Sequence, residues 1–318
     1  MARLLDATAK GVYPIAPTPF TDRGDIDWAS IDLMIDFYLR AKVHGLTILG
    51  LMGEAQKLSD SEAAELVRVV LRSIGGRMPV IVGVSNPGTS NLIALSRTAM
   101  TEGACGIMIA PLTGLKTEAQ IASYFGEVIA ILGPDIPVCY QDYPQSSQAD
   151  ISAGGFVKLV DAYPSIVMFK HEDCPGLKKL TAVRAACDGT ARRRVSIFVG
   201  NGGLYVPQEL HRGADGIMTG FAFPDVLVEV FELFQQGQRE AAEDLFDLYL
   251  PVLRHEQQPG FGLPVRKEIL RRRGAIKSAA VRAPGGSLDA DDLAELDRLL
   301  VRLDARANAS PGRMVRRA

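Results

Sequence analysis

The sequence predicts an α/β fold, a (β/α)8 TIM barrel followed by a C-terminal helical appendix, on two observations. Eight short apolar runs recur along the chain, at 12–16, 46–49, 80–83, 106–109, 137–140, 166–169, 196–199 and 216–219. Each is rich in Val, Ile, Leu or Met and lacks polar alternation, as strands buried on both faces of a parallel sheet do. Helical patterns lie between the runs, whose starts fall about 20 to 34 residues apart, the length of a βα unit. An open doubly wound sheet shares this order. No G-x-G-x-x-G follows the first run, so the dinucleotide-binding version of that sheet loses support.

The helical patterns are read in chain order. Residues 59–74 carry apolar side chains at Ala63, Leu66, Val67, Val70, Leu71 and Ile74, the stripe of an amphipathic helix. Ser59 with Glu62 three positions on predicts a capping box at its start. Residues 89–103 and 118–132 read the same way. Three units share a phrase in which a short polar or Gly turn leads into a buried strand: VHGLTILG, ACGIMIAP and ADGIMTG. Beyond the eighth run, 226–234, 239–253, 265–272 and 289–303 read as helices, the last with a leucine stripe from Leu288 to Leu303. The expected division is therefore a barrel over 1–237, a helical region over 238–308 and a disordered tail over 309–318.

The composition suits a self-supporting soluble protein of 318 residues, with 47% hydrophobic and 23% charged residues. Thirty-five basic against 37 acidic residues give a net charge of −2, no electrostatic reason to expect nucleic acid or an anionic membrane as partner. The N-terminal segment lacks the apolar core of a secretory signal, and no run approaches the roughly 18 apolar residues of a membrane span. Cys105, Cys139, Cys174 and Cys187 lie far apart without C-x-x-C spacing, which argues against zinc or a disulfide scaffold and fits the cytoplasm.

In such a barrel the active site lies at the C-terminal ends of the strands. The sixth run continues into IVMFKHED, with Lys170 directly after Val-Met-Phe. An amine held among apolar groups loses hydration, which disfavours its charged form. A neutral amine can attack a ketone and form a Schiff base. A lysine paired with Glu172 or reaching the barrel rim is the structural alternative. The second run ends in GLMGEAQKL, where Gly50 and Gly53 can expose amides to a carboxylate and Glu54 can anchor the loop. The fifth ends in CYQDYP, which brings Tyr140, Gln141, Asp142 and Tyr143 toward the same mouth, with a phenol as a possible proton relay. The loop at 200–203 (GNGG), with Gly200 and Asn201, can hold a phosphate or make room for substrate. His255 reads as an interface histidine, and no His/Asp/Glu cluster has metal-ligand spacing.

Together GLMGE, the tyrosine-bearing Y-x-x-x-P and Lys170 resemble the dihydrodipicolinate synthase / N-acetylneuraminate lyase family of class I Schiff-base lyases, over about 11–303. The resemblance implies that Lys170 is the Schiff-base lysine and that Gly53 and its neighbours hold the substrate carboxylate. It also implies that Met218 and Thr219 lie under the bound keto acid, that no cofactor is needed beyond the covalent imine with Lys170, and that the chain forms a homotetramer. Four departures qualify it. Leu51 and Met52 replace two threonines of the family pattern, and Gln141 stands where the family's catalytic tyrosine aligns unless Tyr140 or Tyr143 takes that place. Ser146 replaces an arginine that grips a second carboxylate, and Leu112 with Thr113 replaces a tyrosine pair. These changes argue against dihydrodipicolinate synthesis.

VCYQDYP, FKHED, GIMTGFAFPD and YLPVLRHEQQ are similar to the 2-keto-3-deoxy-L-arabonate dehydratase branch of that family, which makes Glu172 a candidate acid–base group. The resulting expectation is a dehydratase of a 2-keto-3-deoxy sugar acid. The open alternatives are a pyruvate-dependent aldolase, a phosphate-binding barrel enzyme using 200–203, and a non-catalytic keto-acid-binding descendant.

Overall fold

The computed structural model describes residues 3–190 and 192–309. Eight strands, β1 (Gly11–Val12), β2 (Leu46–Ile48), β3 (Val80–Gly83), β4 (Gly106–Ile109), β5 (Val138–Asp142), β6 (Ile166–His171), β7 (Ser196–Val199) and β8 (Gly216–Ile217), form one sheet. All pairs are parallel, in the order β1-β8-β7-β6-β5-β4-β3-β2. The two ends of that order meet. Ile15 bridges Thr47 in parallel, the Ala16 N–H donates to the Thr47 carbonyl at 2.8 Å, and the Thr47 N–H donates to the Pro14 carbonyl at 2.8 Å. The sheet is thereby a closed barrel, and the continuous apolar runs are explained by burial on both of its faces.

The chain divides by contact into two compact units. One consists of Met1–Ala16 with His44–Thr219 and the other of Pro17–Val43 with Gly220–Ala318. The helix α1 (Ala29–Arg40) belongs to the second unit. The first unit holds all eight strands and α2 (Asp60–Ile74), α3 (Thr89–Thr101), α4 (Glu118–Leu132), α5 (Pro144–Ser147), α6 (Ala153–Ala162), α7 (Leu177–Ala186) and α8 (Val206–His211). The remaining helices of the second unit are α9 (Pro224–Gln235), α10 (Arg239–His255), α11 (Gly262–Arg272) and α12 (Ala290–Asn308).

In the first unit the expected capping box is present. The Ser59 hydroxyl accepts the Glu62 N–H at 3.2 Å, and Glu62 Oε2 accepts the Ser59 N–H at 2.9 Å. The six apolar residues named from the sequence are the buried face of α2. In the second unit Leu296, Leu300 and Leu303 of α12 are buried, while Leu293 and Leu299 are not. The tail expected to be disordered lies outside the described residues from position 310 on, and Ala309 caps α12.

The strands that carry the site differ from expectation in length. β5 and β6 each run two residues past the apolar run, to Asp142 and His171. Polar residues therefore sit inside the ladder, with Gln141 paired to Lys170 and Lys170 to Phe198. Because side chains alternate along a strand, Gln141 and Lys170 share one face, and Tyr140, Asp142, Phe169 and His171 share the other.

Candidate active site

Lys170 is 1% exposed and lies one residue before the end of β6. Its Nζ is 2.7 Å from Glu172 Oε1, so the pairing offered as the alternative to a catalytic lysine is present. The same carboxylate oxygen accepts a hydrogen bond from Gln141 Nε2 at 2.6 Å. Oε2 accepts the backbone N–H of Asn201 at 3.0 Å. Glu172 is itself fixed at the backbone, where its N–H donates to the Asp142 carbonyl at 2.9 Å. An amine, a carboxylate and an amide are thus gathered from β5, β6 and the loop after β7. The carboxylate is placed to take a proton from the ammonium, which an amine must lose before it attacks a carbonyl.

The loop after β2 turns sharply. Leu49 and Glu54 have φ of 56° and 53°, left-handed values that are uncommon for residues other than glycine. Gly83 makes the close approach possible: a Cβ there would lie 2.2 Å from the Leu49 carbonyl oxygen. Glu54 is fully buried, and its Oε2 accepts from Lys57 Nζ at 2.8 Å, which ties the loop to the short 3-10 turn Ala55–Lys57. Leu51 is 45% exposed, whereas Met52 and Gly53 are buried. Among the described residues the backbone amides of Leu51 and Met52 have no hydrogen-bond acceptor.

A cavity of about 470 Å³ opens over the C-terminal ends of β2 to β5. Its polar lining includes Ser85, Asn86, Thr113, Gln141, Tyr143 and Ser146, and no charged side chain among the described residues lines it. Gln141 joins the cavity to the lysine, since it both lines the space and donates to Glu172. Leu51 and Leu112 supply apolar wall.

The two tyrosines part company. Tyr143 lines the cavity at the start of α5. Tyr140 is fully buried among Phe125, Phe156 and Phe169, with ring centroids at 4.8, 5.3 and 6.1 Å, on the face of β5 opposite Gln141. Burial holds its phenol well above its ordinary pKa, and its hydroxyl has no hydrogen-bond partner. Tyr140, expected at the mouth as a proton carrier, has its ring packed among three phenylalanines, and its alternation along β5 puts it on the face opposite Gln141. The apolar run ends at residue 140, whereas the ladder continues to Asp142.

Gly200 and Asn201 are also redirected. They do not present free amides to a phosphate or substrate, because the Asn201 N–H is occupied by Glu172 and the Gly200 N–H donates to the His171 carbonyl at 2.8 Å. Met218 is fully buried and shares the strand parity of Gly216, whereas Thr219 has the opposite parity and a buried hydroxyl without a partner.

Two groups had no sequence signal. Glu209 on α8 is 5% exposed, and burial together with the charge of Glu172 raises its pKa to about 8. A single glutamate in a six-residue helix is indistinguishable from a surface residue in the sequence. On the far face of β5 and β6, Lys179 Nζ donates to Asp142 Oδ1 and Asp173 Oδ2, each at 3.1 Å, and to Asp150 Oδ1 at 3.2 Å. Burial works against the Lys179 charge, but Asp142 and Asp173 outweigh it and raise the pKa. In the second unit, burial likewise lifts Glu256 to about 8, beside His255.

Among the described residues no group of three or more His, Cys, Asp or Glu side chains could hold a metal ion, and no helix is long and apolar enough to cross a membrane. The chain is 32% identical to L-2-keto-3-deoxyarabonate dehydratase of Azospirillum brasilense over 300 residues, covering 93% of this chain and 94% of that one. It is 27% identical to 4-hydroxy-tetrahydrodipicolinate synthase of Caldicellulosiruptor saccharolyticus over 240 residues, 74% of this chain and 78% of the other. A crystal structure of dihydrodipicolinate synthase from Rhodopseudomonas palustris superposes with a TM-score of 0.92 at 44% identity, covering 95% of this chain and all of that one. The model of the dihydrodipicolinate synthetase family matches residues 8–303, and with a closed parallel barrel and a lysine buried at the end of its sixth strand, the chain belongs to that family.

Proposed function

We propose that the protein is a Schiff-base lyase that dehydrates a 2-keto-3-deoxy sugar acid. The observation that carries this reading is the buried Lys170–Glu172 pair beside a cavity without charged lining. Lys170 attacks the C2 ketone after Glu172 takes its proton, and loss of water leaves an iminium at C2. The iminium acidifies C3–H, a base removes that proton, and the enamine electron pair expels the C4 hydroxyl, which leaves as water with an added proton. Glu172, 2.7 Å from the amine, is the first candidate for these proton transfers, and Tyr143 in the cavity wall is the second. The iminium is the electron sink, so the chemistry calls for no external cofactor.

The substrate ends are assigned by charge. The unpartnered amides of Leu51 and Met52 receive the carboxylate next to the ketone. The uncharged remainder of the cavity receives a hydroxylated tail and offers no charged side chain to a second carboxylate, in keeping with Ser146. The dehydratase of Azospirillum brasilense, similar over nearly the whole chain, supports the same choice.

The test is a panel of 2-keto-3-deoxy acids assayed for loss of water and for release of pyruvate. Dehydration without pyruvate is expected. Pyruvate release as the main product would replace the dehydratase by an aldolase, and no turnover of any member would leave a keto-acid-binding protein.

A further inference from the structure

The Glu172 side chain leans against a position where any other residue would collide with it. A Cβ built on Gly200 would lie 2.4 Å from Glu172 Oε2, 2.5 Å from its Cγ and 2.6 Å from its Cδ. Such distances are not tolerated, so a side chain at 200 must displace something. The backbone there is poorly placed to yield. The Gly200 N–H is bonded to the His171 carbonyl at 2.8 Å, and the preceding residues Phe198 and Val199 are in register with Lys170 and His171. Glu172 is held on its other side by the bond from its own N–H to Asp142. The group free to move is the carboxylate side chain, and movement would cost it the Asn201 N–H, the Lys170 amine or both.

We propose that Gly200 is a positioning residue for the reaction: its missing side chain is the space in which Glu172 lies, and the neighbouring Asn201 amide holds the carboxylate against Lys170. This rests on the reading of Glu172 as the group that takes the lysine proton. It gives the glycine loop after β7 a purpose other than binding substrate or phosphate. In this chain the glutamate two residues after the lysine turns back to the amine beside a loop that offers it an amide and no Cβ.

The test compares Gly200→Ala, Glu172→Ala and the double variant by two readouts. The first is the rate at which pyruvate and borohydride label Lys170, followed by intact mass. Gly200→Ala is expected to label about 100-fold more slowly than wild type, as expected for a group misplaced by about 1 Å. The double variant is expected to be no slower than Glu172→Ala, because residues acting through one contact are not additive. The second readout is the melting temperature. Gly200→Ala is expected to lower it in the wild-type background and not in the Glu172→Ala background, where the collision is absent. Wild-type labelling by Gly200→Ala, or losses that multiply in the double variant, would overturn the proposal. Absence of labelling in wild type would refute the Schiff-base reading, while equal melting losses in both backgrounds would refute the role of Gly200 whatever the chemistry.

Discussion

At Lys170 the amine is almost wholly withdrawn from water, so any change in its protonation must be handled by neighbours that are already in place. Glu172 is the neighbour in contact, and Glu172→Gln keeps the shape while removing the carboxylate proposed as the base. We expect kcat to fall by about 10² to 10⁴, the usual contribution of general acid–base catalysis, with KM for the keto acid little changed. Steady-state kinetics checks this, and an unchanged kcat would move the proton transfers to Tyr143. The tyrosines supply a matched pair. Tyr143→Phe is expected to lower kcat, whereas Tyr140→Phe removes a buried hydroxyl that has no partner and should leave activity intact. An unpaired buried polar group costs about 1–3 kcal/mol, so Tyr140→Phe should be as stable as wild type or more so in denaturant unfolding. Glu209 makes a pH prediction. Its pKa rises from 4.5 to about 8 on folding, so between those values the native state keeps a proton that the unfolded chain has lost. Stability must therefore fall as pH rises through this window, by up to about 1.4 kcal/mol per unit from this group. Glu209→Gln should flatten that slope in melting curves taken across pH 5 to 8, and an unaltered slope would contradict the burial.

At the scale of elements, β5 and β6 divide their labour by face. The lumen face carries Gln141 and Lys170, and the outer face carries an aromatic layer and the Asp142 carboxylate, which Lys179 of α7 reaches across at 3.1 Å. Asp142 is 1% exposed, and removing its partner leaves a buried charge. Lys179→Ala should destabilise the fold by about 3–5 kcal/mol in urea unfolding, and a loss under 1 kcal/mol would show that Asp142 finds compensation elsewhere. The strands were legible because burial on both faces writes a plain apolar run, and α2 because a capping box precedes a regular stripe. What the runs could not reveal was where β5 and β6 stop, since their last two residues are polar. That single uncertainty hid the face on which Tyr140 lies and the pairing of Gln141 with Lys170. The glycine loop after β7 stands out in the sequence, but its contact with Glu172 does not, because that contact is fixed only by the register of adjacent strands. α7 was invisible for a different reason: LKKLTAVRAA buries only Leu180 and Val183, too sparse a stripe to register in the sequence.

For the molecule as a whole, the formal net charge of −2 and a cavity without charged side chains among the described residues are compatible with the small keto-acid substrate proposed above. We retain as proposals a cytoplasmic setting and the homotetramer implied by the family resemblance. Sedimentation should therefore report about four times the chain mass of 34.3 kDa, and a species of the single-chain mass would contradict it. The proposed chemistry turns on one covalent bond, between Lys170 and the keto carbon, which can be trapped. The protein is incubated with pyruvate, reduced with borohydride, digested and mapped by tandem mass spectrometry. A single reduced adduct on Lys170 that disappears in Lys170→Ala is expected; no adduct, or one that persists in that variant, would overturn the Schiff-base reading.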